Sequence, residues 1–127
     1  MIELGEKRTV FLDCDETLCL WFPEKYPHQD SELVNFKGEH GDWKLLPHYK
    51  HIEFLKNLKR QGYTIVVWSA ASGSWASRVV KQLNLEQFVD ITMSKPEFCV
   101  DDLLEAKKII KQIIYIDPIT GEFQRSE

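Results

Sequence analysis

A chain of 127 residues has room for one domain and excludes a second catalytic one. Its 43% hydrophobic and 12% aromatic content, set against 28% charged residues, suits an ordinary core and excludes a disordered tail. Sixteen basic residues against twenty acidic ones leave a net charge of −4, so no broad basic surface waits for nucleic acid or anionic lipid, and any anionic substrate must be held by local chemistry.

Three cysteines, Cys14, Cys19 and Cys99, lack C-x-x-C spacing, and no signal peptide or long apolar span accompanies them. The expectation is a soluble, reduced, cytoplasmic protein in which each thiol is small core filler, with neither a disulfide framework nor a zinc cluster.

In chain order, residues 8–12 form a β-branched and aromatic run that stops at Asp13-Cys14-Asp15, which predicts a buried strand delivering acids at its C-terminal end. Residues 18–46 break any helical period. Pro23, Pro27, Gly38 and Gly41 punctuate a stretch holding Trp21, Phe22, Tyr26, Phe36 and Trp43, so an ordered flap with a hairpin is expected. Pro47 suits the first turn of a helix whose stripe is Ile52, Leu55 and Leu58 and whose stop is Gly62. Residues 63–68 predict a second buried strand ending at Ser69, and residues 72–83 a helix capped by Ser72 or Ser74 with Trp75, Val79 and Leu83 facing inward. A third strand is expected over 88–93, a brief apolar run at 98–100 before Asp101-Asp102, a helix with Leu103, Ala106, Ile110 and Ile113 on one face, and a last strand at 113–116. Strands alternating with helices predict a mainly parallel α/β sheet whose ligands bind at the carboxyl edge, where both the acids and Ser69 fall.

Asp13, Asp15 and Thr17 directly after a buried strand carry the chemical argument. A carboxylate beside a divalent cation can attack phosphorus, and an acid two residues on can protonate the leaving oxygen and then activate water. A calcium loop would use Asp13, Asp15, Thr17 and Glu24, but Leu18 stands where that loop needs glycine. Ser69, with the amide of Ala70, offers donors for phosphoryl oxygens. Lys95 offers a charge to neutralise phosphate and nucleophile together, and Asp101 with Asp102 offers oxygen ligands for Mg²⁺. His28, His40, His48 and His51 read as background, the pair at 48 and 51 as a surface face. The flap aromatics read chiefly as packing of the flap on its own domain.

V-F-L-D-C-D-E-T, V-V-W-S, Lys95 and C-V-D-D, in that order, resemble the four motifs of the haloacid dehalogenase-like (HAD) superfamily over residues 8–117. The resemblance implies a Rossmann-like fold, with residues 1–127 as one domain and a short flap over about 18–46 in place of a cap domain. It implies Asp13 as nucleophile, Asp15 as general acid/base lending its backbone carbonyl to Mg²⁺, and Thr17 as an orienting residue. Ser69, Ala70 and Lys95 would bind phosphate, and Asp13, Asp15, Asp101 and Asp102 would hold the metal. The five residues between Lys95 and Asp101 are fewer than the common pattern has, so a competing assignment makes Asp117 the distal ligand.

The function so implied is a Mg²⁺-dependent phosphomonoester hydrolase acting on a small phosphorylated substrate or a phosphopeptide. D-x-D-E-T-L and the stretch S-A-A-S-G-S-W-A-S-R-V also bear some likeness to phosphatases of the RNA polymerase C-terminal domain. A polynucleotide-end phosphatase and a non-catalytic metal-binding interaction module are the further alternatives.

Overall fold

The computed structural model describes residues 8–38, 41–102, 110 and 112–126. Its centre is a parallel sheet of β1 (Thr9–Asp13), β5 (Thr64–Ser69) and β6 (Ile91–Ser94), in the order β1-β5-β6. The run TIVVWS lies in the middle of that sheet, with Ile65, Val66 and Val67 buried, as a strand covered on both faces requires. Helix α1 (Tyr49–Arg60) and helix α2 (Gly73–Gln82) both pack on β5, and α2 also on β6. Leu12, Ile52, Leu55, Ile65, Val67, Ala76, Val79 and Leu85 form the shared core.

The described residues of the stretch 18–46, the flap, lie mostly in short regular elements. After β2 (Cys19–Leu20) come two short 3-10 turns, Pro23–Lys25 and Asp30–Glu32, and then the hairpin β3 (Val34–Gly38) and β4 (Gly41–Pro47). With β2 on the far side of β4, these strands make a second, antiparallel sheet in the order β2-β4-β3. Phe36 and Leu45 sink into the common core, and α2 ties β3 down: Arg78 donates to the Lys37 carbonyl at 3.0 Å and Gln82 to the Asn35 carbonyl at 2.8 Å.

Several expectations need correction. Pro47 closes β4 instead of opening the helix, and α1 is capped by His48, whose Nδ1 accepts the His51 amide. The third strand is short, Ile91–Ser94, because residues 85–90 are spent on a turn in which Asp90 accepts the Ile65 amide. Phe98 and Val100 form no strand and are 83% and 94% exposed, and Cys99 is exposed beside them, so it is not core filler. The last predicted strand exists as β7 (Ile113–Ile116), but it turns back antiparallel on β8 (Phe123–Ser126), a strand the sequence reading lacked. Parallel pairing is therefore confined to three strands among the described residues, and "mainly parallel" overstates it. The helix expected from Leu103, with the alternative over 103–111, lies outside the described residues apart from Ile110. His40 is outside them too.

Candidate active site

Register places the chemistry. Asp13 ends β1 opposite Trp68, and Ser69 ends β5 opposite Ser94, so the strand ends share one edge of the parallel sheet. The next residue after β6 is Lys95, whose amide donates to the Ser69 carbonyl at 2.9 Å. That bond fixes where the lysine leaves the sheet, and its Nζ stands 3.3 Å from Asp13 Oδ1. Both side chains remain about one-third exposed, so the pair faces an opening and not the core. Residues 82 positions apart in sequence thus meet as one ion pair because two parallel strands flank a third.

Beyond Asp13 the chain turns tightly. The Cys14 carbonyl accepts the amides of Thr17, Leu18 and Cys19 at 3.2, 2.8 and 3.1 Å, and Glu16 takes a left-handed φ of 63° between Asp15 and Thr17. The Glu16 carboxylate accepts the Trp21 amide at 2.8 Å. Asp15 is gripped by two indoles: Trp21 Nε1 donates to its Oδ1 at 2.9 Å and Trp75 Nε1 to the same oxygen at 3.0 Å. Trp21 comes from the flap and Trp75 from the first turn of α2, so this flap aromatic packs on its own domain. Trp21 also meets Trp43 edge-on at 5.8 Å, while Phe22 and Trp43 stay exposed.

Ser69 is buried, and its Oγ accepts the Ala71 amide at 3.0 Å, with Ala70 exposed between them. This turn leads into α2, which Ser72 caps by accepting the Trp75 amide at 3.0 Å. Gly73 sits against β6: its amide donates to Ser94 Oγ at 2.9 Å, and a Cβ there would stand 3.3 Å from the Ser94 amide nitrogen. Close approach of helix to strand, which only glycine permits without a shift, brings Trp75 to Asp15.

Two cysteines flank the acids without competing as nucleophiles. Burial, then the charges of Asp15 and Asp13, pushes the Cys14 thiol up to about 12, and burial raises Cys19 as well, so neither is a thiolate near neutral pH.

Asp101 and Asp102 follow Lys95 in exposed, irregular chain. Asp117 serves the β7–β8 turn: its Oδ1 accepts the Ile119 and Thr120 amides, both at 2.8 Å, and these bonds, Thr120 foremost, lower its carboxyl below the usual range. Among the described residues no group of three or more His, Cys, Asp or Glu side chains is placed to hold a metal ion. The donors at Asp13 and Asp15 nevertheless suit Mg²⁺ in kind. They are hard oxygens, a carboxylate and a backbone carbonyl, and this ion takes few protein ligands and keeps its remaining positions for water and substrate phosphate.

The histidine pair is where sequence reading failed. His48 and His51 are not a surface face but are buried, with rings stacked at 3.7 Å and Tyr115 edge-on to both. His51 Nδ1 is 2.6 Å from the Thr17 carbonyl, and its Nε2 accepts the Ile116 amide at 2.8 Å, which assigns the ring proton to Nδ1. A sequence signal existed. Positions 48 and 51 stand four residues before Ile52 and Leu55, on the face that those residues bury.

An acid at the end of β1, a lysine paired to it from just after β6, across β5, and a second acid two residues on thus meet at one edge of the parallel sheet. The chain belongs to the NLI interacting factor-like phosphatase family, a HAD-superfamily family whose model matches residues 8–126. It is therefore a phosphatase, a phosphoric monoester hydrolase, and the non-catalytic interaction module is set aside. No curated protein and no solved structure matches it. No helix among the described residues is long and apolar enough to cross a membrane.

Proposed function

We propose that this phosphatase hydrolyses phosphomonoesters through an aspartyl-phosphate on Asp13, with Mg²⁺ as cofactor. The observation that carries the reading is the 3.3 Å approach of Lys95 Nζ to Asp13 Oδ1 at the sheet's carboxyl edge. A lysine so placed offsets the charge that would otherwise keep a dianionic phosphate away from a carboxylate.

In the first half-reaction an Asp13 oxygen attacks phosphorus, the bond to the departing alkoxide breaks, and Asp15 gives that alkoxide its proton. In the second, Asp15 takes a proton from water as the water oxygen bonds to phosphorus and the Asp13–phosphorus bond breaks. Ser69, the Ala70 amide and Lys95 bind the phosphoryl oxygens, and Thr17 helps to orient the turn. Asp13, the Asp15 carbonyl and the Asp101-Asp102 pair would hold Mg²⁺, which supplies positive charge against the phosphoryl oxygens when bound. The role Asp117 plays in its hairpin favours the acid pair as distal ligands. Three free cysteines suit a reducing, cytoplasmic setting.

Asp13→Asn should abolish turnover, by at least ~10³-fold, while far-UV circular dichroism stays that of the parent. Retention of most activity would remove Asp13 from the nucleophile's role.

A phosphopeptide is favoured over a sugar phosphate by Phe22 and Trp43, which are 51% and 39% exposed on the flap beside the site. Such rings offer apolar area to side chains flanking a phosphorylated residue. Turnover of phosphopeptides with kcat/KM at least about tenfold above that of sugar phosphates is expected, and the reverse order would refute the preference.

A further inference from the structure

A carboxylate oxygen has two in-plane lone pairs. At Asp15 Oδ1 both are engaged, one by Trp21 Nε1 at 2.9 Å and the other by Trp75 Nε1 at 3.0 Å. An indole N–H only donates, so neither tryptophan can reverse its bond when the acid takes up a proton. A proton on Oδ1 would point at one of these donors and displace it. Oδ2 is left as the oxygen on which a proton can reside.

The two grips are independent in origin and mutually supported. Trp21 is held by its own amide on Glu16 and by Trp43, and Trp75 by its helix cap and by Phe36 at 5.5 Å. The rings lie 6.0 Å apart. The carboxyl group is thereby fixed from two sides, from the flap and from α2.

We propose that Trp21 and Trp75 are positioning residues for the reaction: by filling Oδ1 they make Oδ2 of Asp15 the single atom that delivers a proton to the leaving group and later takes one from water. This rests on the acid/base role given to Asp15 above. The proton on Oδ2 passes to the departing alkoxide as the phosphorus–oxygen bond breaks, and in hydrolysis Oδ2 is reprotonated by the attacking water. A further consequence is that the flap contributes to catalysis through Trp21 and is more than a wall around the site.

The test uses leaving groups. p-Nitrophenolate departs without a proton, whereas phenolate or an alkoxide needs one, and kcat/KM reports the step in which the leaving group departs. Trp21→Phe and Trp75→Phe keep a ring and remove the N–H. Each should lower kcat/KM for phenyl phosphate by about tenfold or more but for p-nitrophenyl phosphate by less than about threefold. Asp15→Asn, run in parallel, should show the same selectivity with a larger loss.

Equal losses on both substrates in the tryptophan variants, with Asp15→Asn selective, would overturn the positioning role alone. A non-selective Asp15→Asn would overturn the acid/base reading together with it. If phenylalanine costs stability, benzothienylalanine at positions 21 and 75, with sulfur in place of N–H in a ring of the same shape, should give the same selective loss. Parental kinetics from these analogues would refute the inference.

Discussion

The two ring nitrogens of His51 join the turn after Asp13 to β7, through Thr17 on one side and Ile116 on the other. Its neighbour His48 caps α1 with Nδ1, so its proton sits on Nε2, which has no hydrogen-bond partner among the described residues. Burial first, and the adjacent His51 ring second, lower His48 to about 4, with nearby backbone groups and, least of all, Asp117 acting the other way. Because the folded state resists protonation that the unfolded chain accepts near 6.5, the unfolded chain binds more protons between those values, and stability falls as pH drops from about 6.5 towards 4 and is level above. The loss should reach roughly 2 kcal/mol after allowance for solvent screening, read as a lower urea midpoint at pH 4.5 than at pH 7. His48→Asn keeps a capping acceptor and should reduce that difference. Asp13 and Asp15 were legible in the sequence because strand, acids and turn are contiguous. The tryptophans that hold Asp15 were not, since a side-chain N–H carries no sequence mark of the oxygen it will meet.

At the level of elements, the flap is anchored to α2 by a short ladder of side chains. Arg78 and Gln82 donate to carbonyls of β3, and Arg78 also lies 5.9 Å from the Trp75 ring. Replacing both with alanine removes two side-chain to backbone bonds at the exposed rim, each contributing ~0.5–1.5 kcal/mol. Faster amide exchange confined to β3 and β4 is expected, with β5 unchanged. If exchange rose across the whole chain equally, the latch would be part of global stability and not a local anchor. The α2 start is legible from Ser72 and Gly73, because capping and close approach are local chemistry. The hairpin partner of β7 was missed because Phe123–Ser126 carries no alternation strong enough to mark it and all four of its residues are exposed. The Pro47 error has a simple cause. A proline fits the end of a strand as well as the first turn of a helix, and β4 pairing at Leu46 and Pro47 with β2 decided between them.

Among the described residues one core underlies the parallel sheet and the flap sheet, with Leu18, Phe36 and Leu45 from the flap side in the same cluster as Leu55, Ile65 and Val67. Leu55→Ala, at a fully buried position, should therefore cost ~2–5 kcal/mol and lower the melting temperature by roughly 10 °C. Tryptophan fluorescence, reporting the site, and circular dichroism, reporting the helices, should shift together, and separated transitions would mean that the flap folds as its own unit. The amino-acid sequence by itself determined the strand-then-acid order, a helix carrying Ile52 and Leu55 and ending near Arg60, and the phosphatase class, because each depends on neighbours within a few positions. Only the tertiary structure decided that Lys95 meets Asp13, that two distant indoles share one oxygen of Asp15 and that the histidines are buried. Those facts depend on which strands become neighbours and on how closely α2 approaches β6, and pairing between distant segments is set by burial of the whole core and not by any local pattern.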